Sequence, residues 1–138
     1  MTDTVKVICL NNSSETEVEM GTSLLELQRI LGVESAYPPL AAYVNNRIKE
    51  LNYKILKPVT VRFIDITHFE GYRVYQRTIS FILQKAVHDI DPARKFYIRN
   101  SLGSGFYCEF SDGEELSQQE IDALRERMRR IIDGRHPI

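Results

Sequence analysis

The chain has 138 residues, with 18 Lys and Arg against 19 Asp and Glu and a net charge of −1. Apolar residues make up 43% and charged residues 27%, a balance that excludes a wholly disordered tail, a collagen-like repeat and a small disulfide scaffold. A chain of this length buries roughly two-thirds of its unfolded surface, so its core needs neither disulfide nor metal. No run approaches the about 20 apolar residues of a membrane helix, and residues 1–6 lack the layout of a signal peptide; a cytoplasmic setting without membrane contact is expected. Charge is even along the chain, with seven Lys/Arg and eight Asp/Glu in residues 1–66 and eleven of each in residues 67–138. Nucleic-acid contact therefore requires a local patch rather than attraction by the whole domain. Cys9 and Cys108 fall in apolar, strand-like runs and read as reduced core thiols.

In chain order, Val5–Leu10 nearly alternates and is rich in β-branched residues, Asn11–Ser14 is a turn by composition, and Glu15–Met20 alternates charged and uncharged positions. Together they predict a hairpin. Ser23 and Glu26 have the spacing of a capping box, Leu24, Leu27 and Leu31 follow at helical spacing, and Gly32 is placed to stop the helix. Leu40–Val44 and Arg47–Leu51 are strands joined through Asn45-Asn46, a pair that tolerates positive φ. Val59–Ile66 is the strongest strand signal. The order is β-β-α-β-β-β with the helix on one sheet face.

Gly21–Leu27, Ala41–Asn46 and Val61–Ile66, in that order, resemble a TGS domain. This is the ubiquitin-like β-grasp module shared by threonyl-tRNA synthetase, certain GTPases and the stringent-response synthetase. The resemblance covers about residues 4–66. It implies RNA or nucleotide contact and regulation, and it carries no catalytic residue to this chain.

Beyond it, Tyr75, Ile79, Ile82, Leu83, Ala86, Val87 and Ile90 form one apolar helical stripe. Gly71 is expected to precede that helix and Asp91-Pro92 to end it. Lys95–Arg99 and Gly105–Phe110 read as strands joined by residues 100–104. Ser117 and Glu120 form a second capping box, and Ile121, Leu124, Met128, Ile131 and Ile132 form the apolar stripe of a last helix. Gly134 and Pro137 are expected to end it. Arg125, Arg127, Arg129 and Arg130 load its C-terminal half, where positive charge suits the helix dipole.

Leu83–Ile90, Gly105–Phe110 and the run from Glu120 to Ile132 resemble the start of the second, editing domain of threonyl-tRNA synthetase. The expected fold class is thus α+β: a β-grasp over residues 1–68, then a helix-hairpin-helix unit over residues 69–138 that resembles an incomplete editing domain. The family carries H-x-x-x-H on the first helix of that domain, a spacing that puts two imidazoles on one face for a metal. Here those positions fall on Arg77 and Phe81, so neither metal nor catalytic residues are expected. His68, His88 and His136 share no spacing and read as surface residues. The glycines at 103 and 105 lack the following Lys of a phosphate loop.

A basic patch of Arg73, Arg77, Arg125, Arg129 and Arg130 remains a candidate for RNA or ligand contact, with Tyr72, Tyr75 or Tyr97 available for stacking. Against it, Arg125 can pair with Asp122 and Arg130 with Glu126 on a solvated helix face. Arg73–Arg77 and Lys85–Asp89 look closest to uridine-kinase-like nucleoside kinases that carry these two modules ahead of the kinase domain. That resemblance implies a non-catalytic accessory region, with ATP and Mg²⁺ belonging to a kinase domain beyond residue 138 as its partner and no cofactor in this stretch. The alternatives are the N-terminal tRNA-contacting region of a threonyl-tRNA synthetase or paralogue without the editing metal site, and a free-standing RNA- or nucleotide-binding module.

Overall fold

A computed structural model describes residues 2–136; the stop expected at Pro137 lies outside them. The chain forms two compact units, Met1–Tyr75 and Gln76–Ile138. The fold class is α+β, a β-grasp followed by a small α+β unit. No helix among the described residues is long and apolar enough to cross a membrane.

In the first unit, β1 (Thr4–Cys9) and β2 (Ser14–Glu19) form the antiparallel hairpin, each starting one residue earlier than the sequence pattern suggests. Helix α1 (Leu24–Leu31) follows, then β3 (Ala41–Val44), β4 (Arg47–Lys49) and β5 (Val59–Ile64). The sheet order is β2-β1-β5-β3-β4, with β1 and β5 parallel and the other pairs antiparallel. Period-2 alternation sends Val5, Val7 and Cys9 of β1 and Val59, Val61 and Phe63 of β5 inward, where they meet Leu24 and Leu27 of α1.

Local signals set the ends of these elements. The Ser23 hydroxyl accepts from the Glu26 amide at 3.2 Å while the Glu26 carboxylate accepts from the Ser23 amide at 2.8 Å. Gly32 ends α1 in the left-handed region at φ 57°. Asn45 and Asn46 take φ 47° and 65°, the double positive φ of a two-residue type I′ hairpin. Strand β4 stops at Lys49 rather than Leu51, because Leu51 instead offers its carbonyl to the amide of Leu25 at 2.8 Å.

Helix α2 (Phe69–Ile90) begins two residues before Gly71 instead of after it. The Asp65 carboxylate accepts from the Thr67 amide at 2.8 Å, and the Asp65 carbonyl accepts from the His68 amide at 3.1 Å. This turn launches the helix early. Its last residue is Ile90, where Asp91-Pro92 forbids continuation.

In the second unit, β6 (Phe96–Leu102) and β7 (Gly105–Phe110) pair antiparallel, and α3 (Gln118–Asp133) follows. The connection is shorter than the five residues expected. Leu102 pairs with Gly105, leaving a two-residue turn with Gly103 at φ 60°, the left-handed first position of a type II′ turn. The extra length of β6 is taken up by a bulge that sets Arg99 and Asn100 against Tyr107. Ala86, Val87, Phe110 and Leu124 make the core, with Leu83, Phe96, Leu116, Met128 and Ile131 around it. Ile121 and Ile132 were expected in this core but stand exposed; at the C-terminal end of α3 it is Ile131, one residue round the helix, that packs against the core. Gly134 ends α3 while staying in the right-handed region; the left-handed residue is the next one, Arg135 at φ 49°. Both cysteines are unbridged, Cys9 buried and Cys108 half-buried.

Carboxylates tie the second unit together. Asp89 meets Lys85 on its own helix and Arg127 of α3, the latter at 2.6 Å. Lys85 first and then Arg127 hold the Asp89 carboxyl below its ordinary value, and Arg94 does the same for Asp112. A depressed folded pKa contributes stability in full above the unfolded value and loses it as pH falls through the folded one. The second unit is therefore expected to melt at lower temperature at about pH 3 than at about pH 6. The measurement is thermal unfolding followed at the Phe110 amide, and Asp89→Asn is expected to reduce the difference.

Candidate nucleic-acid interface

The five arginines singled out by sequence are spread over both units. Arg73 lies on the part of α2 in the first unit, 3.5 Å from Glu70 and with its guanidinium 5.5 Å from the centre of the Phe69 ring. Arg77, Arg125, Arg129 and Arg130 lie in the second. On α3, Arg125 pairs with Asp122 at 3.4 Å and Arg130 with Glu126 at 3.2 Å, the partners that helical spacing suggests. Arg127 bridges to Asp89, 38 positions away in the chain. Among the described residues Arg129 and Arg77 form no ion pair. Helix α3 carries four arginines and four acids, so its field is local: among the described residues Arg129 is the α3 arginine without an ion pair, and Arg125, Arg127 and Arg130 each have one.

The positions that the family resemblance assigns to a metal pair carry a guanidinium, which stays protonated, and the exposed phenyl ring of Phe81, which has no donor atom. The pair does not fit a metal. Among the described residues no three His, Cys, Asp or Glu side chains form a group that could hold a metal ion.

The first unit contains a cluster that the arginine count does not reveal. Arg62 and Tyr43 are directly paired across β5 and β3, and both project to the sheet face opposite the core positions. The Arg62 guanidinium sits 5.0 Å from the centre of the Tyr43 ring, and Tyr43 meets the His68 ring edge-on at 5.7 Å. His68 is thus half-buried against an aromatic neighbour rather than a free surface residue. Its Nδ1 accepts from the Glu70 amide at 3.2 Å. Beside this stack lies a cavity of about 220 Å³ lined by Gln28, Arg62, Asp65, Thr67 and His68, among others. Asn11 closes one wall. Its amide donates to the Phe63 carbonyl at 3.0 Å and accepts from the Phe63 amide at 2.8 Å. The Thr67 hydroxyl and amide hold the Asp65 carboxyl below its ordinary value, so the cavity presents one anion and one cation. A cation stacked on an aromatic ring at an open sheet face suits a base or a phosphodiester rather than bond-breaking chemistry. The period-2 pattern of β5 carries the signal for Arg62: inward Val59, Val61 and Phe63 leave the alternate positions outward.

No family model matches the chain. Its sequence is similar to threonine–tRNA ligases. That of Syntrophomonas wolfei subsp. wolfei is 28% identical over 131 residues, which cover 95% of this chain and 21% of the ligase. That of Clostridium kluyveri is 30% identical over 125 residues, 91% of this chain and 20% of the ligase. That of Desulforamulus reducens is 26% identical over 125 residues, again 91% and 20%. The chain thus spans about a fifth of the length of the curated relatives it matches. The matched residues cover more than nine-tenths of the chain and so fall in both units.

Proposed function

We propose that this chain is the N-terminal, tRNA-contacting region of a threonyl-tRNA synthetase or a paralogue of one, acting in the cytoplasm and lacking the editing metal pair. The observation that carries this reading is the similarity to threonine–tRNA ligases over more than nine-tenths of the chain. Arg77 and Phe81 remove metal-dependent editing from it. What remains is binding: Arg129 and its neighbours on α3 supply phosphate contacts, and the aminoacylating chemistry belongs to domains outside these residues. The alternative of an accessory region of a nucleoside kinase, with ATP and Mg²⁺ on a downstream domain, draws no support from these relatives.

The test is fluorescence anisotropy of a labelled threonine-accepting tRNA with the 138-residue chain, at about 50 and about 200 mM salt. Binding is expected to weaken steeply with salt. Arg129→Ala is expected to lower the logarithmic salt slope by about 1 and to weaken binding uniformly across tRNA sequences. Arg125→Ala is expected to do less, because Asp122 already offsets its charge. Absence of binding at low salt, or binding indifferent to salt, refutes the reading.

A further inference from the structure

A second cationic surface lies in the first unit, at the far edge of its sheet. Strand β4 is the last strand in the order. Beside it is a concavity of about 330 Å³ lined by Val44, Asn45, Arg47, Lys49, Tyr53, Lys57 and Val59. Three of these side chains are cationic and none is acidic. Among the described residues none of the three forms an ion pair, although other lysines of the same unit do: Lys6 with Glu15 at 2.6 Å and Lys54 with Glu26 at 3.9 Å.

The frame holding these cations is well fixed. The Asn45 side chain accepts from the Thr60 amide at 2.9 Å and the Asn45 amide donates to the Thr60 carbonyl at 2.9 Å, which ties the hairpin turn to β5. Arg47 pairs with Val44 in the ladder. The Lys49 ammonium sits 5.0 Å from the centre of the Tyr53 ring, which orients it. Cations on an edge strand also discourage pairing with another chain. That role accounts for Arg47 and Lys49, which are on β4, but not for Lys57, which comes from the loop before β5 and lines the same hollow. Three uncompensated cations around one hollow repel one another, and a multiply charged anion among them relieves that repulsion.

We propose that this concavity binds phosphate, with Arg47 and Lys57 as charged clamps and Lys49, held against Tyr53, between them. The shared ligand chemistry is a run of phosphate groups, carried either by an RNA backbone or by a free nucleoside polyphosphate. The site belongs to the first unit and the arginines of α3 to the second, and its occupancy does not depend on the tRNA reading.

The test is titration of the ¹⁵N-labelled chain with inorganic pyrophosphate and, separately, with a single-stranded oligouridylate. The amides of Asn45, Arg47, Lys49 and Lys57 are expected to shift. Response to both probes assigns the site to phosphate runs in general, and response to the oligonucleotide alone assigns it to RNA backbone. The double variant Arg47→Ala/Lys57→Ala, which changes only exposed side chains, is expected to weaken binding by about tenfold through loss of two charge-assisted contacts. Lys54→Ala, outside the hollow, is expected to change it little. Silent amides with both probes, or equal weakening by Lys54→Ala, overturn the proposal. Pyrophosphate binding here in a chain that fails to bind tRNA leaves this site standing and removes the tRNA reading; tRNA binding with silent amides does the reverse.

Discussion

Replacing Gly71 by alanine is expected to destabilise the first unit by about 2 kcal/mol, although it places a better helix former inside a helix. A β-carbon at this position would lie 1.9 Å from the Asp65 carbonyl oxygen and 2.8 Å from its carbonyl carbon. Both are backbone atoms that cannot swing aside. The Asp65 carbonyl also accepts from the His68 amide, and its carboxylate caps Thr67. Relieving the overlap therefore means reopening the turn that starts α2. Overpacking of this severity costs about 3 kcal/mol, against a helix-propensity gain of about 1 kcal/mol. The sign decides the matter. Were Gly71 an ordinary helical glycine, alanine would stabilise. Hydrogen exchange at the amides of β5, compared between wild type and Gly71→Ala, measures the difference, and slower exchange in the variant refutes the close-approach argument.

Leu27→Ala is expected to cost about 3 kcal/mol, within the about 2–5 kcal/mol seen for leucine truncation in rigid cores. Leu27 is fully buried, at 0% exposure, and packs with Leu24 among the inward residues of β1 and β5. The sheet behind it is bonded on both sides of β1 and cannot follow the missing methyls. Ile30, on the same helix, is 60% exposed, and Ile30→Ala is expected to change stability by less than about 0.5 kcal/mol. Exchange at the Val61 amide reads both variants. Equal effects of the two would mean that α1 does not bury the face described.

Much of the fold was legible because its signals are local. The two capping boxes, Ser23 with Glu26 and Ser117 with Glu120, form as spaced. The Asn45-Asn46 turn and the inward alternation of β1 and β5 follow from rules that need only neighbouring residues. The misplaced features depend on contacts made outside the element's own residue pattern. The start of α2 is decided by the Asp65 carbonyl against Gly71. The length of β6 is decided by β7, which pairs with it as far as Leu102. Of the adjacent Ile131 and Ile132, only Ile131 packs against the second core, a choice made by the elements that α3 meets and not by the spacing on α3 alone.

The candidate surfaces divide in the same way. Pairing of Arg125 and Arg130 with their helical neighbours was readable from i,i+3 and i,i+4 spacing, whereas Arg127 reaches Asp89 only through the packing of α2 and α3. The stack of Arg62, Tyr43 and His68 needs β3 and β5 side by side and the turn at Asp65 to bring the imidazole over.

By itself, then, the sequence determined the α+β class, the order of elements and most of their ends. Those properties rest on short-range sterics, capping hydrogen bonds and side-chain chemistry, which act within a few residues. Only the tertiary structure decided which charges meet partners on other elements and which gather without one. Net charge is a sum over the chain, but the field at a surface depends on distances. Folding pairs Arg127 of α3 with Asp89 of α2 and gathers Arg47, Lys49 and Lys57 around a hollow that no acid lines.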